Sequence, residues 1–134
     1  MQLSAQSWWK WILAAFFVGA GANHFLNPEP YLSMMPSYLP WPAGLVQVSG
    51  AAEIIGGVGL LFPAVQVLAA WGLVALLVAV FPANWNVAVH GWPGVGLPRW
   101  SLWARLPFQL VFIWWIYRVC IRGRRATQSP AFSA

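Results

Sequence analysis

The sequence predicts an all-α integral membrane protein, an antiparallel four-helix bundle with four transmembrane spans. Only 7% of the 134 residues are charged, whereas soluble domains carry roughly 25% Asp, Glu, Lys and Arg. From residue 54 to residue 98 there is no charged residue at all, and such a stretch holds two bilayer crossings of about 20 residues each. Because backbone groups in lipid must be bonded within their own segment, we expect helices rather than strands.

We place the spans at about residues 8–25, 43–62, 65–85 and 102–120 of a single membrane domain, 1–134. The first span also resembles a signal peptide, because Lys10 precedes an apolar run and a stretch of small residues. We expect it to be retained as a span. The short link Pro63–Ala64 makes spans two and three antiparallel neighbours. Residues 125–134 are typical of a frayed polar tail.

Basic residues predict the orientation of the spans. Lys10 precedes the first span, and an arginine cluster surrounds the end of the last one (Arg118, Arg122, Arg124 and Arg125). Because cytoplasmic segments are enriched in Lys and Arg, we expect both termini in the cytoplasm of a bacterium, with the chain in its inner membrane. The tryptophans fit two interfaces: Trp8, Trp9, Trp114 and Trp115 at one, and Trp41, Trp85, Trp92, Trp100 and Trp103 at the other.

Several functional classes lack support. The basic residues are clustered rather than spread along a face with aromatics between them, so we expect no nucleic-acid partner. Cys120 is the only cysteine, which excludes an intramolecular disulfide and a thiolate metal site. A haem held by two histidines would need His24 and His90 on facing helices, but His90 follows the third span. We expect no metal and no covalently bound cofactor.

Glu53 lies near the middle of the second span, where an ionisable group costs about 2.5 to 3.5 kcal/mol on insertion scales. Small residues share its helical face at spacings of three and four (Ser49, Gly50, Gly56 and Gly57). These residues let a neighbouring helix approach closely, so we expect the carboxyl group to face the bundle interior. Two interpretations stay open: a proton-transferring or ligand-facing carboxyl, and a structural hydrogen bond between helices.

Other polar residues fall at a similar depth if the four spans are correct. We expect them to converge with Glu53 on one pocket in the outer half of the membrane. His24 and Glu53 are the candidates for proton transfer, and Arg105 is the candidate counter-ion for Glu53. Each also has a structural interpretation, such as an interfacial hydrogen bond for His24 or an amide bonded to the carbonyl freed by Pro82. The candidate ligand-binding residues are Asn84, Asn86, Arg105 and Gln109.

Four short motifs in order resemble the DoxX-like family of small membrane proteins, over about residues 12 to 118. They are Gly21-Ala22-Asn23-His24-Phe25; Ser49-Gly50 with Glu53-Ile54 and Gly56-Gly57; Val80-Phe81-Pro82-Ala83-Asn84; and Arg105-Leu106-Pro107 with Gln109. One departure is that Ala64-Val65-Gln66 lacks the basic residue often found between spans two and three. The resemblance implies a four-helix membrane bundle. It also implies links to quinone-dependent redox systems, because members include membrane subunits of thiosulfate:quinone oxidoreductases.

The leading hypothesis is therefore a membrane subunit of a redox system whose pocket binds a quinone or another small amphipathic molecule. The chain has no recognisable electron carrier, so a redox partner would have to deliver electrons. The alternative is a non-catalytic accessory or assembly subunit that docks a larger membrane complex. A weaker third hypothesis is a small transporter, which would need to form an oligomer. The sequence does not decide whether the chain is itself an enzyme.

Overall fold

The computed structural model describes residues 5–124, and every regular element in that range is helical. The predicted all-α class is therefore confirmed, whereas the predicted tail, 125–134, lies outside the described residues. The elements are α1 (Ala5–Leu26), α2 (Glu29–Met34), α3 (Pro42–Gly59), α4 (Gln66–His90) and α5 (Arg99–Ile116), which continues as a π-helical segment, Tyr117–Arg122.

Each predicted span overlaps one of the four long helices, with shifts at the ends. The segments Gln66–His90 and Arg99–Arg122 are long and apolar enough to cross a membrane. Helix α4 extends beyond the predicted end at residue 85, because Pro82 lies inside the helix without ending it. The short α2 is absent from the sequence prediction, although Pro28-Glu29-Pro30 is a helix-start pattern, with proline and an acid in the first turn.

Glycines of α3 set its distance from both neighbours. Gly50 and Gly57 face α1, where a Cβ on Gly57 would lie 3.0 Å from the carbonyl oxygen of Ala14. Gly56 and Gly59 face α4, where a Cβ on Gly56 would collide with Leu73 and a Cβ on Gly59 would collide with Ala69. Helix α3 therefore packs tightly between α1 and α4, as expected for small residues at helix interfaces.

The bundle closes where α5 returns to α1. The ring of Phe112 stacks on Phe16 with centroids 4.7 Å apart. The main apolar cluster lies at the end of the bundle that carries the α3–α4 turn, hereafter the turn end. It contains Leu13, Phe17, Leu60, Ala70, Leu73, Ile116, Cys120 and Ile121. Gln66 joins the helices at this end, because its amide donates to the carbonyl oxygen of Cys120 at 3.1 Å.

The opposite end, hereafter the α2 end, is covered by α2 and the chain that follows α4. Trp92 donates its indole N–H to the carbonyl oxygen of Pro30 at 2.7 Å, and the Asn86 amide donates to that of Met34 at 3.2 Å. A second apolar cluster, Met34, Ala83, Val87 and Leu102, lies beneath these bonds. Helix α2 is therefore fixed across the mouth of the bundle.

Candidate functional site

A cavity of about 670 Å³ lies between the four long helices, below α2. Most of its wall is apolar, with aromatic rings from α1 and α5 and aliphatic side chains from α3 and α4. Polar side chains interrupt that wall at a few points, as is common in ligand pockets. Five of the six predicted site residues line it: His24, Glu53, Asn84, Arg105 and Gln109.

The cavity also reaches the outside of the bundle on two flanks. Val48 of α3 and Ala79 of α4 line it and are exposed on one flank. Phe16 of α1 and Phe108 of α5 do the same on the other flank. The cavity is therefore open between the helices, whereas α2 covers its end.

His24 and Glu53 form the polar centre of the cavity wall. His24 Nε2 lies 3.5 Å from Glu53 Oε2, and both side chains are largely buried. On the other side of the imidazole, Nδ1 lies 3.0 Å from the carbonyl oxygen of Val46. A carbonyl oxygen only accepts, so Nδ1 carries a proton and donates it to Val46.

This arrangement bears on the proton chemistry of the pair. With Nδ1 protonated, a neutral imidazole presents the lone pair of Nε2 to Glu53. An ionised carboxylate would repel that lone pair, so a proton on either group favours the contact. An imidazole and a carboxyl group 3.5 Å apart in a cavity wall are suited to exchanging a proton with a bound molecule.

Glu53 and Arg105 form no direct ion pair among the described residues. Within the described residues, the ion-pair partner of Glu53 is His24, and no salt bridge joins Arg105 to an acid. The Arg105 guanidinium instead lies over the Trp92 ring, 4.6 Å from its centroid. The sequence places Arg105 at the correct depth but does not reveal that the loop after α4 supplies this ring.

Asn84 and Gln109 bond to each other across α4 and α5. The Asn84 amide donates to Gln109 Oε1 at 2.9 Å, and the Gln109 amide donates to the Leu77 carbonyl oxygen. The carbonyl oxygen that Pro82 leaves without its helical N–H is that of Val78, the residue next to Leu77. Asn84 and Gln109 line the cavity, but Gln109 has both ends of its amide occupied by the protein.

The structure does not bring Asn86 into this group, since its amide bonds α2 and it does not line the cavity. His90 is exposed, and its ring bonds the Asn86 carbonyl oxygen in its own helix. Asn86 therefore holds α2 against α4. Its position two residues from Asn84 turns it to a different side of α4.

Sequence reasoning missed Tyr31 as a site residue. Its ring packs on the His24 imidazole with centroids 3.8 Å apart, and its hydroxyl accepts from the Asn23 amide at 2.7 Å. Tyr31 lines the cavity from α2. The available signal was the helix-start pattern Pro28-Glu29-Pro30. It predicts a short helix in this connection, with one face towards the interior of the bundle.

Comparison with known families gives a match over most of the chain. The family model described as "Domain of unknown function (DUF8561)" matches residues 13–120. No curated protein and no solved structure matches the chain. The matched range contains every residue that lines the cavity. The chain belongs to the DUF8561 family.

Proposed function

We propose that the chain is a four-span integral membrane protein, with spans at about 8–25, 43–62, 65–85 and 102–120. The large apolar side chains on the outside of the bundle support this. Monomeric soluble proteins rarely expose apolar patches larger than a few hundred Å². In each of the two long apolar segments only 22% of the most apolar window is buried within the chain. Exposed examples on four helices include Ile12, Phe16, Ile55, Leu68, Val78, Leu110 and Val111.

The distribution of charge and tryptophan supports an orientation with both termini in the cytoplasm. Lys10 and the arginines of the π-helical segment are at the turn end, where Trp9 packs on Trp115 with centroids 5.4 Å apart. At the α2 end, Trp85 packs on Trp103 at 5.7 Å. Two aromatic groups at opposite ends fit two membrane interfaces. A bacterial inner membrane and a distant relationship to the DoxX-like proteins are parts of the same proposal.

Within that membrane, the cavity is the site for a quinone-like or other small amphipathic molecule, and the chain acts as a membrane subunit of a redox system. The observation that carries this proposal is the largely buried His24–Glu53 pair, with Nε2 3.5 Å from Oε2, in the wall of a largely apolar cavity. The apolar walls hold a ring or tail, the pair exchanges a proton, and Arg105 holds an oxygen. A partner protein supplies the electrons.

One observation favours the alternative, an accessory or assembly subunit. Asn84 and Gln109 bond each other and the α4 backbone, so part of the polar cluster holds the helices together without any ligand. In that role the exposed helix faces dock a larger membrane complex, and the cavity is incidental.

A cavity-filling substitution separates the two functions. Ala83 is buried in the cavity wall, whereas Ala75 is exposed on the same helix. The chain is purified in mild detergent and extracted with organic solvent, and quinone is measured per protein chain. We expect about one quinone per chain, lost in Ala83→Leu and kept in Ala75→Leu. Absence of ligand from the original chain, together with co-purification of a large complex by both variants, would favour the accessory role.

A further inference from the structure

A groove of about 490 Å³ lies on the outside of the bundle at the turn end, between α1 and the C-terminal part of α5. None of its lining residues lines the central cavity, so it is a separate feature. Three tryptophans, two valines and one arginine line it: Trp9 from α1, and Val111, Trp114, Trp115, Arg118 and Val119 from α5 and the π-helical segment.

The groove has an apolar part and a charged end. Val111 and Arg118 are seven residues apart in one continuous helix, which separates them by about 10 Å along its axis. Val111 and Trp114 are 53% and 60% exposed, and Trp9 packs on Trp115 across the two helices. An amphipathic molecule therefore fits with its tail along the valines and tryptophans and its head at the arginine.

The charged end lacks a protein counter-ion. Arg118 is exposed, and its guanidinium lies over the Trp114 ring at 5.8 Å from the centroid. The chain has two acidic side chains in all. Glu29 begins α2 at the opposite end, and Glu53 lies in the wall of the central cavity. The positive charge of Arg118 is therefore available to an anion from outside the chain.

Other cations surround the same end. Arg122 is exposed about one turn beyond Arg118, and the ammonium of Lys10, the residue after Trp9, lies 3.4 Å from Gln66 Oε1. A guanidinium binds phosphate with two parallel N–H bonds. A choline or ethanolamine head group would add a cation that these residues repel, whereas an anionic head group adds none.

We propose that this groove binds one anionic phospholipid, with its phosphate at Arg118 and an acyl chain along Trp114 and Val111. In the proposed orientation the turn end faces the cytoplasm, so the lipid belongs to the cytoplasmic leaflet. The inference rests on the membrane location within the proposed function, and it is independent of the ligand of the central cavity.

The test compares two lipids with identical acyl chains on the full chain, stripped of lipid in a nonionic detergent. They are dioleoylphosphatidylglycerol and dioleoylphosphatidylcholine, and the affinity for the first bound lipid is measured by native mass spectrometry. Because one basic residue near an anionic lipid surface changes the affinity by a factor of about five, we expect phosphatidylglycerol to bind at least about fivefold more tightly.

Two pairs of variants assign this binding to the groove. Arg118→Gln should lower the affinity for phosphatidylglycerol about fivefold, whereas Arg99→Gln, at an exposed arginine of the α2 end, should leave it unchanged. Val111→Trp fills the groove without changing the charge and should weaken the binding of both lipids. Its control is Val78→Trp, at a similarly exposed position of α4, which should bind both lipids as the original chain does.

Three results would overturn the inference and leave the proposed function standing. They are equal affinities for the two lipids, equal losses in Arg118→Gln and Arg99→Gln, and unchanged lipid binding in Val111→Trp. The first would show that head-group charge is not recognised, the second that only the total charge matters, and the third that the lipid lies elsewhere. A chain that stays monomeric in buffer without detergent would overturn the membrane location as well.

Discussion

Gly21 of α1 and Gly50 of α3 meet backbone to backbone, since a Cβ on Gly21 would lie 2.5 Å from the Gly50 carbonyl oxygen. The same Cβ would lie 3.0 Å from Cβ of Glu53, and a Cβ on Gly50 would lie 2.7 Å from Cβ of His24. Each glycine therefore leaves the space that a polar side chain of the partner helix occupies. The close contact of α1 with α3 is what brings the imidazole and the carboxyl group together.

The first prediction concerns this contact. Gly21→Ala should lower the free energy of unfolding by about 1 to 3 kcal/mol, because the added methyl group meets backbone atoms that cannot move aside. The measurement is reversible unfolding in mixed detergent micelles. Gly19→Ala is the matched control on the same helix, because nothing lies within 4 Å of a Cβ at this position. It should be no less stable than the original chain, since alanine favours helix over glycine by up to about 1 kcal/mol. Equal stability of the two variants would contradict the packing described.

The second prediction concerns the Asn84–Gln109 bond. Gln109→Leu leaves the Asn84 amide unpaired and removes the side-chain bond to the Leu77 carbonyl oxygen, so we expect a loss of about 1 to 3 kcal/mol in unfolding free energy. A double-mutant cycle with Asn84→Leu should give a coupling energy of about 0.6 kcal/mol, the average for side-chain bonds between membrane helices, and no more than the maximum of about 1.7 kcal/mol. Strict additivity of the two substitutions would show that the residues do not interact.

The third prediction concerns the attachment of α2. Trp92→Phe keeps an aromatic ring but removes the N–H that bonds Pro30 and Ser33. Since such a bond contributes about 0.5 to 1.5 kcal/mol, amide hydrogen exchange in α2 should become about three- to tenfold faster. Trp100→Phe changes a ring that is 74% exposed and should leave α2 unchanged. Unaltered exchange in Trp92→Phe would mean that other contacts hold α2.

The fourth prediction concerns orientation. Cys120 is fully buried, so the original chain should react with a membrane-impermeant maleimide only after denaturation. Gly96→Cys, in the exposed segment before α5, should be labelled in intact cells. Ala64→Cys, in the exposed α3–α4 turn, should be labelled only after the membrane is permeabilised. Labelling of both introduced cysteines in intact cells, or the reverse pattern, would contradict cytoplasmic termini.

Helix positions were accessible from sequence because each long helix is a continuous apolar run between prolines or charges. The depth of polar residues follows from the same counting, which predicts that His24, Glu53 and Arg105 lie near one another. The partner of each group was not accessible. Whether Glu53 contacts Arg105 or His24 depends on the rotation of each helix about its own axis. When lipid surrounds the bundle, a helix can be apolar on every side, so the apolar pattern of its sequence does not define that rotation.

Long-range contacts set a further limit on what the sequence predicts. Tyr31 and Trp92 lie in connections, where apolar periodicity carries no information, and both reach the site only through long-range packing. Tyr31 packs on His24, and Trp92 lies beneath Arg105. The Asn84–Gln109 bond likewise joins residues 25 positions apart, so neither helix alone predicts it.

The cavity opens beside Val48 and Ala79 on one flank and beside Phe16 and Phe108 on the other. These openings affect how the affinity of a ligand for this chain should be measured. In the proposed membrane arrangement these openings would face acyl chains, so a hydrophobic ligand would reach the site by lateral diffusion within the membrane. Occupancy then depends on the mole fraction of ligand in the lipid rather than on its aqueous concentration. Two ligands with the same intrinsic affinity will differ in apparent potency by the ratio of their partition coefficients.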